Sequence, residues 1–325
     1  IPVVKLGIIA VSRDCFPIAL STQRRENIVK EYKGDLYNCK TTVENEQDML
    51  KAVADVKEQG CNALVVFLGN FGPETPETLI AKNWNYEIGF QRNHEDQWYQ
   101  PANAYCKGGC LVIEAKKEKK ERKNPGYNKN SQRWPQNVEN IRYTSALLNT
   151  AQKKEFLYGR VEVRAKIPTA SGAWPAIWLL GRGMEWPSNG EIDIMEFYRK
   201  QGVPHILANA CWGTEQPYVA RWNSKAIPFS HFTDRDSKWA KKFHIWRMDW
   251  DEESIRIYLD DELLNEIKQS EAVNGKLGKE AQPFKKPQYI LLNLAIGGDN
   301  GGTIDDKAFP MKYYIDYVRV YQKKH

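Results

Sequence analysis

The N-terminal segment alternates between apolar runs of strand length and polar stretches with helical spacing. Val3 to Val11 is a continuous apolar run, Thr22 to Tyr32 is polar with a helical period, and Leu36 to Val43 alternates as a half-buried strand does. Asn45 is placed to cap a helix in which Met49, Val53 and Val56 recur at helical intervals up to Gly60, and Ala63 to Leu68 is a further apolar run. Strand, helix, strand, helix, strand predicts a small α/β (βαβαβ) segment with a parallel sheet, over residues 1–82.

From about Trp84 the pattern changes to short alternating runs separated by Gly, Pro and Asn clusters. These runs are Cys110–Lys116, Tyr143–Leu148, Gly159–Ile167, Ala176–Leu180, Glu191–Phe197, Ile206–Trp212, Phe243–Trp250, Ile255–Leu259, Tyr289–Ile296 and Tyr314–Tyr321. So many strands without helices between them predict a mainly β domain, an antiparallel sandwich, over residues 83–325. The Lys, Arg and Glu run from Lys116 to Lys123 lacks interleaved aromatics and reads as a solvated strand end or loop, not as a nucleic-acid surface.

Composition adds bounds. With 42% hydrophobic and 27% charged residues of both signs, the chain can build cores, and no apolar stretch approaches the roughly 20 residues that span a bilayer. A globular, soluble protein without a membrane span is expected. The net charge of +6 suits an anionic polymer, a membrane surface or nothing in particular, so it decides little. Eleven Trp and sixteen Tyr point to a partner with stackable faces, such as a sugar or a base. The six cysteines form no CxxC pair and no Cys/His cluster of zinc spacing, and they read as buried thiols, although Cys106 and Cys110 flank a Gly-Gly turn that would bring them together. The opening IPVVKLGIIAV lacks a basic region and a small-residue cleavage site, and reads as a buried strand in preference to a signal peptide.

The candidate chemistry lies in Gly190-Glu191-Ile192-Asp193-Ile194-Met195-Glu196-Phe197. On a strand, Glu191 and Asp193 point one way while Ile192 and Ile194 point into a core. Strict alternation then puts Met195, and not Glu196, beside Glu191; a one-residue β-bulge near Met195 returns Glu196 to the acidic face. Retaining glycosidases hold two carboxyls about 5 to 5.5 Å apart, whereas positions four apart on a flat strand have Cα atoms roughly 13 Å apart, so curvature and two long side chains must close the gap. Asp193 between the two glutamates raises the proton affinity of its neighbours and orients the attacking one. Three indoles, Trp174, Trp178 and Trp186, lie within 20 residues of the acids. Pyranose rings expose apolar C–H faces that stack on indole, so Trp174 or Trp186 is expected to line a cleft and Trp178 to sit in the core.

Taken together, Tyr158-Gly159-Arg160-Val161-Glu162-Val163-Arg164, Trp174-Pro175-Ala176-Ile177-Trp178, the acidic string and Ile315-Asp316-Tyr317-Val318-Arg319-Val320-Tyr321 resemble glycoside hydrolase family 16, in particular its laminarinase and bacterial β-glucanase members, from about Trp84 to Gln322. The resemblance implies a β-jelly-roll with a concave cleft and an endo-acting, retaining mechanism. It makes Glu191 the nucleophile, Asp193 its helper and Glu196 the acid/base, and it places Asn93, Arg160, Trp174 and Trp186 along the glycone subsites. Asp316 matches a ligand position of a structural calcium found in parts of that family, while catalysis itself requires no cofactor. Two features depart from the family: an acidic first strand is missing before Trp84, where Ala63–Phe71 is available as a substitute strand, and Ile206–Trp212 lacks the His that laminarinases commonly carry.

Residues 1–82 resemble the N-terminal domain of the L-fucose/L-arabinose isomerase family, in GIIAVSRDCFPIAL and CNALVVFLGNFGPETPE. That family places its metal-binding acids and histidine in later domains, which implies no isomerase activity here. The expected reaction is endo-hydrolysis of a β-1,3- or mixed β-1,3/1,4-glucan. A β-galactan of agar, porphyran or O-glycan type is the alternative polymer, and a non-catalytic carbohydrate-binding protein the alternative class. The partner is then a polysaccharide met outside the cytoplasm, without nucleic acid, and the protein a monomer.

Overall fold

The structure is a computed structural model that describes residues 5–11, 18–43, 46–68 and 83–323. The chain divides into two compact units, Ile1–Ala81 with Cys106–Gly109, and Lys82–Tyr105 with Cys110–His325.

In the first unit β1 (Leu6–Val11), α1 (Ile18–Glu31), β2 (Leu36–Val43), α2 (Glu46–Glu58) and β3 (Ala63–Leu68) follow in order. The three strands form a parallel sheet in the order β2-β1-β3, as the run of apolar and helical segments predicts. Ile9, Cys39, Val43, Ala52 and Val56 make its core, and Tyr37 donates to Asp55 Oδ1 at 2.8 Å to tie β2 to α2. The inner stripe of α2 is thus Ala52 and Val56, one turn apart, whereas Met49 from the expected stripe is 37% exposed. Val3, Val4 and Asn45, on which a longer first strand and a helix cap were expected, lie outside the described residues. Of Ala63–Phe71, the expected substitute for an acidic sandwich strand, Ala63–Leu68 is the third strand of this parallel sheet and pairs with β1 along its whole length, while residues 69–71 lie outside the described residues.

The second unit runs through β4 (Asn85–Tyr86), β5 (Gln97–Tyr99), β6 (Ala104–Lys107), β7 (Cys110–Lys123), β8 (Asn140–Ser145), β9 (Leu147–Asn149), β10 (Glu155–Phe156) and β11 (Gly159–Lys166). It continues with β12 (Ala173–Gly181), β13 (Glu191–Lys200), β14 (Val203–Gly213), β15 (Ala220–Pro228), β16 (His244–Trp250), β17 (Ser254–Leu259), β18 (Glu262–Lys268), β19 (Gln288–Ile296) and β20 (Met311–Tyr321). One sheet has the order β15-β14-β13-β12-β19-β9-β4 and the other β18-β17-β16-β11-β20-β7-β8-β5. The two form the jelly-roll sandwich, with Ile192, Ile194, Met195 and Phe197 of β13 and Trp246 and Met248 of β16 fully buried in it.

Nine of the ten expected strands are present as single strands, whereas Tyr143–Leu148 is split at Ala146 between β8 and β9, which lie in different sheets. The Lys/Glu run after Lys116 is a continuation of β7, exposed toward its end and out of register with β8 between Lys117 and Arg122. β15 and β18 escaped the pattern because their edge positions expose most side chains and leave little apolar alternation. Among the described residues Cys39 and Cys211 are buried free thiols, as expected, whereas Cys61 and Cys110 are free but only half-buried.

All eleven tryptophans fall between Trp84 and Trp250, so tryptophan fluorescence reports the second unit alone. Trp246 has no exposed surface and its ring meets Trp239 edge-on at 6.0 Å. Trp246→Ala is expected to destabilise this unit by about 3–5 kcal/mol, read as a lower denaturant midpoint in fluorescence-detected unfolding.

Candidate active site

β13 carries all three acids and is paired on both sides, with β12 and β14. Against β12 the register runs Ile177 with Met195 and then Trp178 with Asp193, and against β14 it shifts between Asp193 and Glu196. Ile194 and Met195 therefore form the predicted bulge, and both are wholly buried. Their apolar side chains stay in the sandwich core while Glu191, Asp193 and Glu196 line one cavity. Entry to the strand depends on Gly190, at φ +79, where a Cβ would lie 2.8 Å from Pro283 Cβ.

The cavity has a volume of about 650 Å³ and its wall draws on β12, β13, β14, β15 and β19 together with the segment before β5. Two indoles bond directly to the glutamates. Trp186 Nε1–H donates to Glu191 Oε2 at 2.8 Å, and Trp174 Nε1–H donates to Glu196 Oε1 at 2.9 Å. Trp174 is buried and Trp186 is 37% exposed, which leaves a ring surface open for stacking on a sugar. Asn209 Nδ2 donates to Glu196 Oε2 at 2.9 Å and to Asp193 Oδ2 at 3.3 Å, and Ser224 Oγ donates to Asn209 Oδ1 at 2.5 Å. Trp178 forms the floor, its Nε1–H bonded to Asn293 Oδ1 at 2.8 Å, with Asn293 Nδ2 bonded in turn to the Tyr99 hydroxyl at 3.0 Å. It packs with Tyr99, Leu147, Ala176 and Leu291, so it belongs to the core as expected while also touching the cavity.

Burial raises the proton affinity of all three acids. It pushes Glu196 from 4.5 to about 7, against the opposing hydrogen bond from Trp174. Asp193 is pushed well above the carboxylate range by burial and by the charges of Glu196 and Glu191, which favours its protonated form beside Glu191. Burial also raises Glu191, opposed by the hydrogen bond from Trp186 and the charge of Arg92. Arg92 is therefore the cation that favours an ionised Glu191. It lies over Trp178 at 5.4 Å and is ion-paired with Glu87.

Of the residues expected from the sequence, Asn93, Trp174 and Trp186 line the cavity with the three acids. Arg160 does not. It sits on β11 in the opposite sheet, where its guanidinium makes a forked contact with Asp249 at 2.6 and 3.0 Å, and the cation of the cleft is Arg92. Asp316 lies on β20 of that same opposite sheet with its carboxylate engaged by Arg164. Among the described residues no group of three or more histidine, cysteine, aspartate or glutamate side chains that could hold a metal ion is present. Sequence reasoning missed Arg92, Glu95, Asn209, Trp222 and Ser224, all on the cavity wall. The charged string Arg92–Asp96 just before an aromatic strand was the available signal for the first two; nothing local marks the others, which β-pairing brings in.

The family model for glycosyl hydrolases family 16 matches residues 91–319. The chain belongs to this family. A beta-glucanase of Rhodothermus marinus is 34% identical to it over 259 residues, covering 74% of this chain and 79% of that protein. Among solved structures, one from work on endo-acting O-glycanases with which human gut bacteria initiate mucin breakdown has a TM-score of 0.65 at 35% identity, covering 75% of this chain and 86% of that one. The laminarinase catalytic domain of Thermotoga maritima has a TM-score of 0.61 at 31% identity, covering 79% of this chain and 96% of that one. The family model for the N-terminal domain of fucose/sulfoquinovose isomerase matches residues 7–110, further along the chain than the resemblance read from its first residues. Through its family 16 region the chain is a glycoside hydrolase.

Glu196 in this hydrolase holds its proton more tightly folded than unfolded, so stability falls as pH rises from 4.5 to about 7. Glu196→Gln removes that loss. The variant is expected to exceed the parent by up to about 2 kcal/mol above pH 7, with the gain vanishing below pH 4.5, in denaturant midpoints compared at pH 4.5 and pH 8.

Proposed function

We infer that this chain is an endo-acting, retaining hydrolase of β-1,3- or mixed β-1,3/1,4-glucans, with Glu191 as nucleophile and Glu196 as acid/base. The observation that carries the reading is the contrast between the two glutamates on one cleft wall. Each glutamate receives one indole N–H, but Glu196 is pushed to about 7 and keeps a transferable proton, while Glu191 alone lies in the field of Arg92, which favours its anion. Glu191 attacks the anomeric carbon as Glu196 protonates the departing oxygen, which gives a glycosyl ester. Glu196, now ionised, takes a proton from water, and that water cleaves the ester with net retention. Asp193 donates a hydrogen bond to Glu191, which favours its anion and holds the attacking oxygen in place.

The carboxyl groups supply both the nucleophile and the proton, so this chemistry calls for no cofactor. The cleft is walled by the chain's own residues, which supports a monomer as the working unit. Among the described residues no helix is long and apolar enough to cross a membrane. Polymeric glycans are met outside the cytoplasm, and that is where we place the activity. Residues 1–82 are read as a unit without isomerase chemistry. A β-galactan is the second reading for the polymer, favoured by the O-glycanase neighbour and by Asn209 and Cys211 standing on the strand where laminarinases commonly carry a His.

The test is reducing-sugar release from laminarin, barley β-glucan, agarose, porphyran and mucin glycans. Cleavage of a glucan is expected, with a loss of about 10⁴-fold or more in kcat/KM for Glu191→Ala. Activity confined to a galactan selects the second reading, and inactivity of the folded protein on all five polymers rejects both. Glu196→Gln is expected to recover on aryl glycosides whose leaving group needs no proton, while Glu191→Gln stays inactive on them; equal recovery of both would remove the assigned roles. For the parent, kcat/KM should fall above about pH 7 as Glu196 ionises.

A further inference from the structure

We propose that Asn209, held by Ser224, is the positioning residue of the two acids on either side of the bulge, and that Ser224 acts only by fixing the direction of the Asn209 amide. The inference rests on the reading of Glu196 as acid/base. Partners in register on neighbouring strands share a face, and three rows cross the cleft wall from β13 to β14 to β15: Glu191, Cys211 and Trp222; Asp193, Asn209 and Ser224; Glu196, Leu207 and Ala226. Of the three β14 residues facing the acids, a cysteine, an asparagine and a leucine, only the asparagine donates two hydrogen bonds. It spends them on Asp193 Oδ2 at 3.3 Å and Glu196 Oε2 at 2.9 Å, across the place where the bulge interrupts the regular spacing of β13.

The amide has two orientations, and only one serves. With its oxygen toward the acids it would oppose carboxylate lone pairs. The Ser224 hydroxyl, donating to Oδ1 at 2.5 Å, removes that alternative. Asn209 is 3% exposed, so water does not replace the bonds it makes. Glu196 then has one donor on each oxygen, Trp174 on one and Asn209 on the other. The other titratable groups facing this cluster are Glu191 and Tyr198 on β13, Cys211 on β14 and, from the segment before β5, Arg92 acting on Glu191. None of them replaces a donor to the Oε2 atom of Glu196 among the described residues.

The measurement is a ¹³C NMR titration of the glutamate side-chain carboxyls in the full chain, with the Glu196 signal identified by its loss in Glu196→Gln. Removing a donor to the ionised form raises the midpoint. Asn209→Leu is expected to move it up by about 1 pH unit, Ser224→Ala by less, and Ser224→Ala should add nothing in the Asn209→Leu background. On a polymer that the parent cleaves, the alkaline limb of kcat/KM should move up equally. An unmoved Glu196 midpoint in folded Asn209→Leu overturns the proposal, as does a Ser224→Ala shift that persists without Asn209. If Asn209→Leu does not fold, an unmoved midpoint in Ser224→Ala overturns it alone. A parent that cleaves none of the polymers while its midpoint still moves in the variants rejects the hydrolase reading and supports the positioning.

Discussion

One extra residue in β13 sets the whole cleft. A strand buried on one face must present side chains alternately, and the string from Glu191 to Phe197 breaks that rule by one position. Ile194 and Met195 absorb the break as a bulge, with both side chains wholly buried. Without it, Glu196 would enter the apolar core as a lone carboxyl and Met195 would face the cleft. Burying an unpaired acid costs far more than the ladder hydrogen bond a bulge gives up. The apolar demand of the sandwich and the polar demand of the site are thus met by the same irregularity, and the bonds from Trp174, Trp186 and Asn209 are arranged around it.

The donors around the acids are mostly neutral. Two indoles and one amide hold the glutamates, and Arg92, the one cation lining the cavity among the described residues, acts on Glu191. This division separates two carboxyls that are chemically identical. A cation beside Glu196 would drain its proton at neutral pH, whereas neutral donors fix its direction and still leave burial to raise it to about 7. Arg92 is itself kept in place by Glu87 and by the face of Trp178, whose own N–H is held through Asn293 and Tyr99.

A laminarinase and a structure from work on mucin O-glycanases both superpose over three quarters or more of the chain, so a fold of this kind is found in neighbours named for different glycans. Trp222, 45% exposed on β15, and Asn93 before β5 line the same cavity as the acids.

The succession of elements, the fold class and the acids were legible in the sequence because they depend on local rules. Apolar alternation located nine of the ten expected strands, and the parity conflict at Met195 demanded a bulge; Tyr143–Leu148, read as one strand, crosses between the sheets at Ala146. Helical spacing found α2, though not its inner stripe, since Ala52 carries too little apolar signal to be preferred to Met49. Arg160 was assigned by likeness of motif alone, and tertiary pairing put it on the opposite sheet, where Asp249 occupies its charge. Asn209, Ser224 and Arg92 had no local mark. Their roles come from which strand lies next to which and in what register, a property of long-range pairing that one-dimensional periodicity does not carry.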